Sequence, residues 1–138
     1  MDIEELKENF EFLDDWEDRY RYLLDLGAKL PPMAEEEKNE TNKVNGCTSQ
    51  VWIKSSVKED EKNQKTIDFV ADSDAHIVRG LIAIVRVLFI GKTFEEIKTI
   101  DEEQFFTDLG LHNHLSPSRR NGLAAMVEKI KSDAANMI

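Results

Sequence analysis

The chain has 138 residues, 41% hydrophobic and 33% charged, the balance of one soluble globular domain over residues 1–138. Its 28 acidic residues against 18 Lys and Arg give a net charge of −10, which argues against nucleic acid as a partner. A single cysteine excludes an internal disulfide and points to a reducing compartment.

The opening MDIEELKENF lacks the basic start and apolar run of a secretory signal. Ile3, Leu6, Phe10 and Leu13 share one side of a first helix. A second helix begins near Asp14 or Asp15, where a carboxylate can cap free N–H groups. It turns Trp16, Tyr20, Leu23 and Leu24 inward, with Gly27 as its stop and Pro31-Pro32 forbidding continuation. Residues 33–46 are polar and acidic and read as a loop with at most one helical turn.

Ser49 to Val57 and Thr66 to Ala71 both alternate, which predicts a hairpin whose connection, Lys58 to Lys65, is longer than a tight turn. Asp72-Ser73-Asp74 then offers caps for a helix reaching about Ile90. That helix is apolar except for the stripe Arg79, Ala83 and Arg86, the pattern of a buried central helix. It is too short to span a bilayer, so a cytoplasmic protein without membrane attachment is expected. Short helices follow at Phe94–Ile97 and Glu102–Leu109. Ser116-Pro117 starts the last helix, whose apolar face is Leu123, Met126, Val127, Ile130, Ala134 and Met137. The expected fold class is α+β, a small antiparallel sheet packed against several helices.

Cys47 carries the candidate chemistry. An isolated cysteine is often a small buried hydrophobe, but this one sits in the polar, turn-prone stretch Asn45-Gly46-Cys47-Thr48-Ser49-Gln50. Gly46 lets the backbone bend and bares N–H groups that could stabilise a thiolate, the reactive form. A cysteine phosphatase needs an Arg six positions after its nucleophile, where Ile53 stands. A Cys–His hydrolase has only His76, His112 and His114 to draw on, with no supporting signature. One thiol cannot hold an iron–sulfur cluster, and His112 and His114 lack a second ligand pair. Persulfide sulfur transfer, or a thiol completed by a second protein, remains. No resident cofactor or metal is called for.

Five ordered blocks resemble the SufE family of sulfur acceptors: Asp15-Trp16-Glu17-Asp18-Arg19-Tyr20, Leu26-Gly27-Ala28-Lys29-Leu30-Pro31, Asn42 to Trp52, Asp72 to Leu81, and Leu115 to Leu123. The resemblance implies a fold similar to SufE and IscU-type proteins. It also implies that Cys47 accepts sulfane sulfur from a pyridoxal-phosphate cysteine desulfurase of the SufS type or its CsdA-type paralogue. Such proteins stimulate the desulfurase and pass sulfur toward iron–sulfur cluster assembly through a SufB-containing scaffold. They are sulfur-transfer accessories rather than free-standing enzymes. Thr48 stands where the family often has Gln.

Gly46, Gln50 and Asp74 are candidates for supporting the Cys47 loop, and Arg119 for facing the partner. For Asp74 the plainer alternative is a helix-start carboxylate, and for Arg119 a surface ion pair. Trp52 reads as a packing residue and Glu35-Glu36-Glu37 as a solvated face. An exposed persulfide is readily lost to other thiols, so the loop is expected to be tucked in at rest and to swing out on docking. Monomer and homodimer stay open. So does the rival reading of a regulatory module that does not need Cys47.

Overall fold

The computed structural model describes residues 1–138. Six helices surround a two-stranded antiparallel sheet, so the fold is α+β. Helix α1 spans Ile3–Phe12 and α2 spans Trp16–Ala28, each started by an aspartate whose carboxylate accepts a backbone N–H. Asp15 is the α2 cap. A 3-10 turn at Glu35–Glu37 interrupts the following loop.

Strand β1 (Val51–Glu59) and β2 (Lys65–Ser73) pair from Val51↔Ser73 to Glu59↔Lys65. Both strands run further than their alternation indicates, so the connection is only Asp60 to Gln64. Val51 and Ile53 of β1, with Ile67, Phe69 and Ala71 of β2, are buried on one face, as period-two alternation requires. Flanking chain covers both edges. Val44 N–H donates to Val51 O and Ile53 N–H to Asn42 O; on the other side Ile67 N–H donates to Lys92 O and Gly91 N–H to Ile67 O.

The opposite face is tied down by charge. Lys38 and Arg79 flank the Asp72 carboxylate at 3.0 and 3.1 Å, and Lys54 meets Glu37 at 2.8 Å. Burial pushes the Asp72 carboxyl up, but hydrogen bonds from Lys38 and the Ser73 N–H, with the charges of Arg79 and Lys38, more than offset it, so its pKa lies below the usual value.

Helix α3 (His76–Phe89) is the central element and buries Leu81, Ile82, Ile84, Val85, Leu88 and Phe89. The proposed Asp72-Ser73-Asp74 cap is not used: Ala75 occupies the cap position and no side chain caps the helix. The reason is that Asp72 and Ser73 still belong to β2, while the Asp74 carboxylate is engaged elsewhere.

Helix α2 crosses α3 at Gly27 and Gly80. A Cβ on Gly80 would stand 2.3 Å from Leu23 O, and one on Gly27 would stand 2.7 Å from Gly80 N. Gly27 is therefore inside the helix as a close-contact residue, not its stop. Leu23 is buried, but Tyr20 is 39% exposed and points out instead of in.

Helices α4 (Phe94–Thr99) and α5 (Glu102–Asp108) are short, and Thr93 with Glu96 forms a reciprocal capping box on α4. Helix α6 (Pro117–Met137) starts as its Ser-Pro signal indicates: Ser116 Oγ accepts from Arg119 N–H. It buries Leu123, Met126, Val127, Ile130 and Ala134, whereas Met137 is exposed. Ser55 of β1 donates to Asp133 of α6 at 2.6 Å, which fixes the helix against the sheet. No helix is long and apolar enough to cross a membrane.

Candidate functional site

The site forms where the loop entering β1, the end of β2 and the start of α6 converge. Gly46 has φ +91°, a conformation that side-chain-bearing residues rarely adopt, and it turns the chain into Cys47. Cys47 is half-buried. Its Sγ lies 3.6 Å from Gly122 O, with the thiol as donor. The next residue, Thr48, shares a hydroxyl–hydroxyl hydrogen bond with Ser118 of α6.

Gln50 and Asp74 form a reciprocal clamp. Gln50 N–H donates to Asp74 Oδ1 at 3.0 Å, and Asp74 N–H donates to Gln50 O at 3.3 Å. Asp74 thus grips the far end of the Cys47 loop through its side chain, while Gln50 contributes its backbone. Asp74 stands one residue before the cap position, Ala75, and its Oδ1 is turned to the loop, so α3 starts without a side-chain cap.

A small cavity of about 30 Å3 lies against Cys47, room for one or two small atoms beyond the sulfur. Val51, Val78, Leu81, Leu123 and Met126 make its walls apolar. Arg119 also lines it and is its only charged residue. Neither Arg119 nor Arg120 forms an ion pair, so a surface salt bridge does not explain them.

Burial pushes the Cys47 thiol above its ordinary pKa. The sequence suggests backbone N–H groups aimed at sulfur, but the sulfur meets a carbonyl instead. A carbonyl accepts from the thiol and repels the thiolate. Burial and the Gly122 carbonyl both favour the thiol form of Cys47 over its thiolate.

The structure brings Cys47, Gly46, Gln50, Asp74 and Arg119 to one place. It also brings in Ser118 and Gly122, to which the sequence assigned no role. Only Gly122 carried a signal: an isolated glycine inside a helical pattern is unfavourable without a packing reason. His112 and His114 stand elsewhere. His114 stacks on Trp16 with ring centroids 4.2 Å apart, and His112 Nε2 lies 2.8 Å from Glu103. No cluster of three or more His, Cys, Asp or Glu side chains is placed to hold a metal ion.

Comparison with known proteins identifies the family and the fold. The chain is 47% identical over 132 residues to an uncharacterized SufE-like protein of Rhizobium etli, covering 96% of this chain and 88% of that one. It is equally similar to an uncharacterized SufE-like protein of Rhizobium meliloti, covering 96% and 94%. The solution structure of a hypothetical protein from Thermus thermophilus shares the fold, with a TM-score of 0.71 and 21% identity over 97% of this chain and 93% of that one. Residues 4–134 match the SufE family, described as an Fe-S metabolism associated domain, and the chain belongs to that family.

Proposed function

We propose that this protein is a sulfur acceptor that takes sulfane sulfur as a Cys47 persulfide from a pyridoxal-phosphate cysteine desulfurase of the SufS or CsdA type. It stimulates the desulfurase and delivers the sulfur to iron–sulfur cluster assembly, through a SufB-containing scaffold, in the cytoplasm. The whole chain acts as one SufE-like unit. The observation that carries the reading is the single thiol, held on a glycine-hinged loop over an apolar cavity, in a member of the SufE family.

The transfer is a thiol exchange. Cys47 loses its proton to solvent, and its thiolate attacks the terminal sulfur of the desulfurase persulfide. A sulfur–sulfur bond forms at Cys47 as the one to the desulfurase cysteine breaks, and the desulfurase thiolate leaves. One bond replaces another of the same kind, so no oxidant or reductant is consumed.

In this reading the closed loop disfavours the reaction, because burial and the Gly122 carbonyl favour the thiol form and partly cover the sulfur. Docking must draw Cys47 out, which moves it into water and lowers its pKa toward the ordinary thiol value. Return of the loop then shelters the added sulfur in the cavity beside Leu81 and Met126. Arg119 lines the cavity without an ion-pair partner, which supports a role for it in facing the desulfurase.

The test is sulfide release by a desulfurase given cysteine, a reductant and either the native protein or Cys47→Ala. Loss of stimulation in the variant is expected. Full stimulation by Cys47→Ala would instead establish a regulatory module that does not need the thiol.

A further inference from the structure

Three consecutive loop residues meet three positions on one face of α6. A Cβ built on Gly46 would stand 3.6 Å from Ala125 Cβ. Cys47 lies over Gly122, where an added Cβ would fall 3.5 Å from Sγ, 3.8 Å from the cysteine Cβ and 3.9 Å from its Cα. Thr48 bonds Ser118. As the loop advances from 46 to 48, its contacts step back along the helix from 125 to 122 to 118. Those spacings of three and four place all three on one stripe.

We propose that Ser118, Gly122 and Ala125 form a cradle on α6 that positions Cys47 by holding its loop shut. The cradle joins two hydrogen bonds to van der Waals packing of Cys47 over Gly122. Ser118 binds the hydroxyl of Thr48, and the Gly122 carbonyl oxygen accepts a hydrogen bond from the Cys47 thiol. Apart from proline, glycine is the least favourable residue in a helix interior. At Gly122 the bare backbone faces Cys47, and a Cβ there would come into van der Waals contact with the cysteine.

Ser118 and Gly122 are positioning residues. They touch the loop and its thiol, and they set how often Cys47 is open to a reactant. The partner needs only to displace one hydroxyl bond and one weak sulfur contact, then hold the loop by its own contacts. That cradle deepens the sulfur-acceptor reading, but its closure is measurable without any desulfurase.

The experiment is the rate of Cys47 alkylation by iodoacetamide in the isolated protein. Ser118→Ala is expected to react about 3–10-fold faster, the factor one net hydrogen bond supports, with an unchanged melting temperature. Ser118→Thr keeps the hydroxyl and should react at the native rate. Thr48→Ala removes the same bond from the loop side and should match Ser118→Ala, which decides the matter if Ser118→Ala melts early. A native alkylation rate in Thr48→Ala and Ser118→Ala, or acceleration in Ser118→Thr equal to that in Ser118→Ala, would overturn the cradle. Sulfur gain on Cys47 with a desulfurase is read separately, so either idea can fail alone.

Discussion

At the residue scale, the surroundings of Cys47 favour its thiol form. Burial raises its pKa, and the Gly122 carbonyl favours the S–H form. The sign of the pH dependence follows. A group whose folded pKa is raised supports the closed state below its ordinary value, about 8.5 for a thiol, and that support is lost as pH rises through the raised value. The pH midpoint for Cys47 alkylation should therefore lie above that of a free thiol in the native protein and fall toward it in Thr48→Ala. Equal midpoints, measured by alkylation rate across pH, would contradict this.

What the sequence shows at this scale is the thiol and its hinge. Gly46 and Cys47 stand together in a polar stretch, and the need for a glycine at the turn is local. Their partners are not local. Gly122 is 75 positions from Cys47, and Ser118 is 70 from Thr48. No periodicity links residues so far apart, so the thiol is legible while the carbonyl that restrains it is not.

At the element scale, the helices follow their apolar spacing closely, and Ser116-Pro117 starts α6 as its chemistry demands. Two of the departures, at Gly27 and Asp74, have one cause: a residue type that serves two physical roles. A glycine near a helix end permits a stop and also permits close approach, and Gly27 does the second against Gly80. A carboxylate before a helix can cap it or bind a nearby loop, and Asp74 does the second through Gln50. Which role wins depends on what tertiary structure places opposite.

Gly80→Ala should destabilise the fold by about 2–3 kcal/mol in denaturant unfolding, since the added carbon meets Leu23 backbone that cannot move aside. Asp72→Asn should cost about 2 kcal/mol, because Lys38 and Arg79 lose the charge they share. The Asp72 pKa is depressed, so its contribution is present above the ordinary carboxylate value and is lost as pH falls through the folded one. Acid unfolding followed by circular dichroism should accordingly be shallower in Asp72→Asn.

At the scale of the whole molecule, one face of α6 packs on the sheet and its first turns carry the loop. The element that anchors the fold thus also presents Cys47 and Arg119 together. A net charge of −10 favours long-range attraction toward any basic partner surface. The association rate should fall about 10-fold or more between low and physiological salt, measured by stopped flow, because exposed charges are screened within about 8–10 Å there. A rate independent of salt would assign recognition to short-range contacts alone.

The most direct test is mass spectrometry of the protein after incubation with a cysteine desulfurase and cysteine. A gain of one sulfur atom, confined to the peptide containing Cys47 and absent in Cys47→Ser, is the expected result. No gain on that peptide, while the desulfurase is active and loaded with its own persulfide, would contradict sulfur acceptance by Cys47.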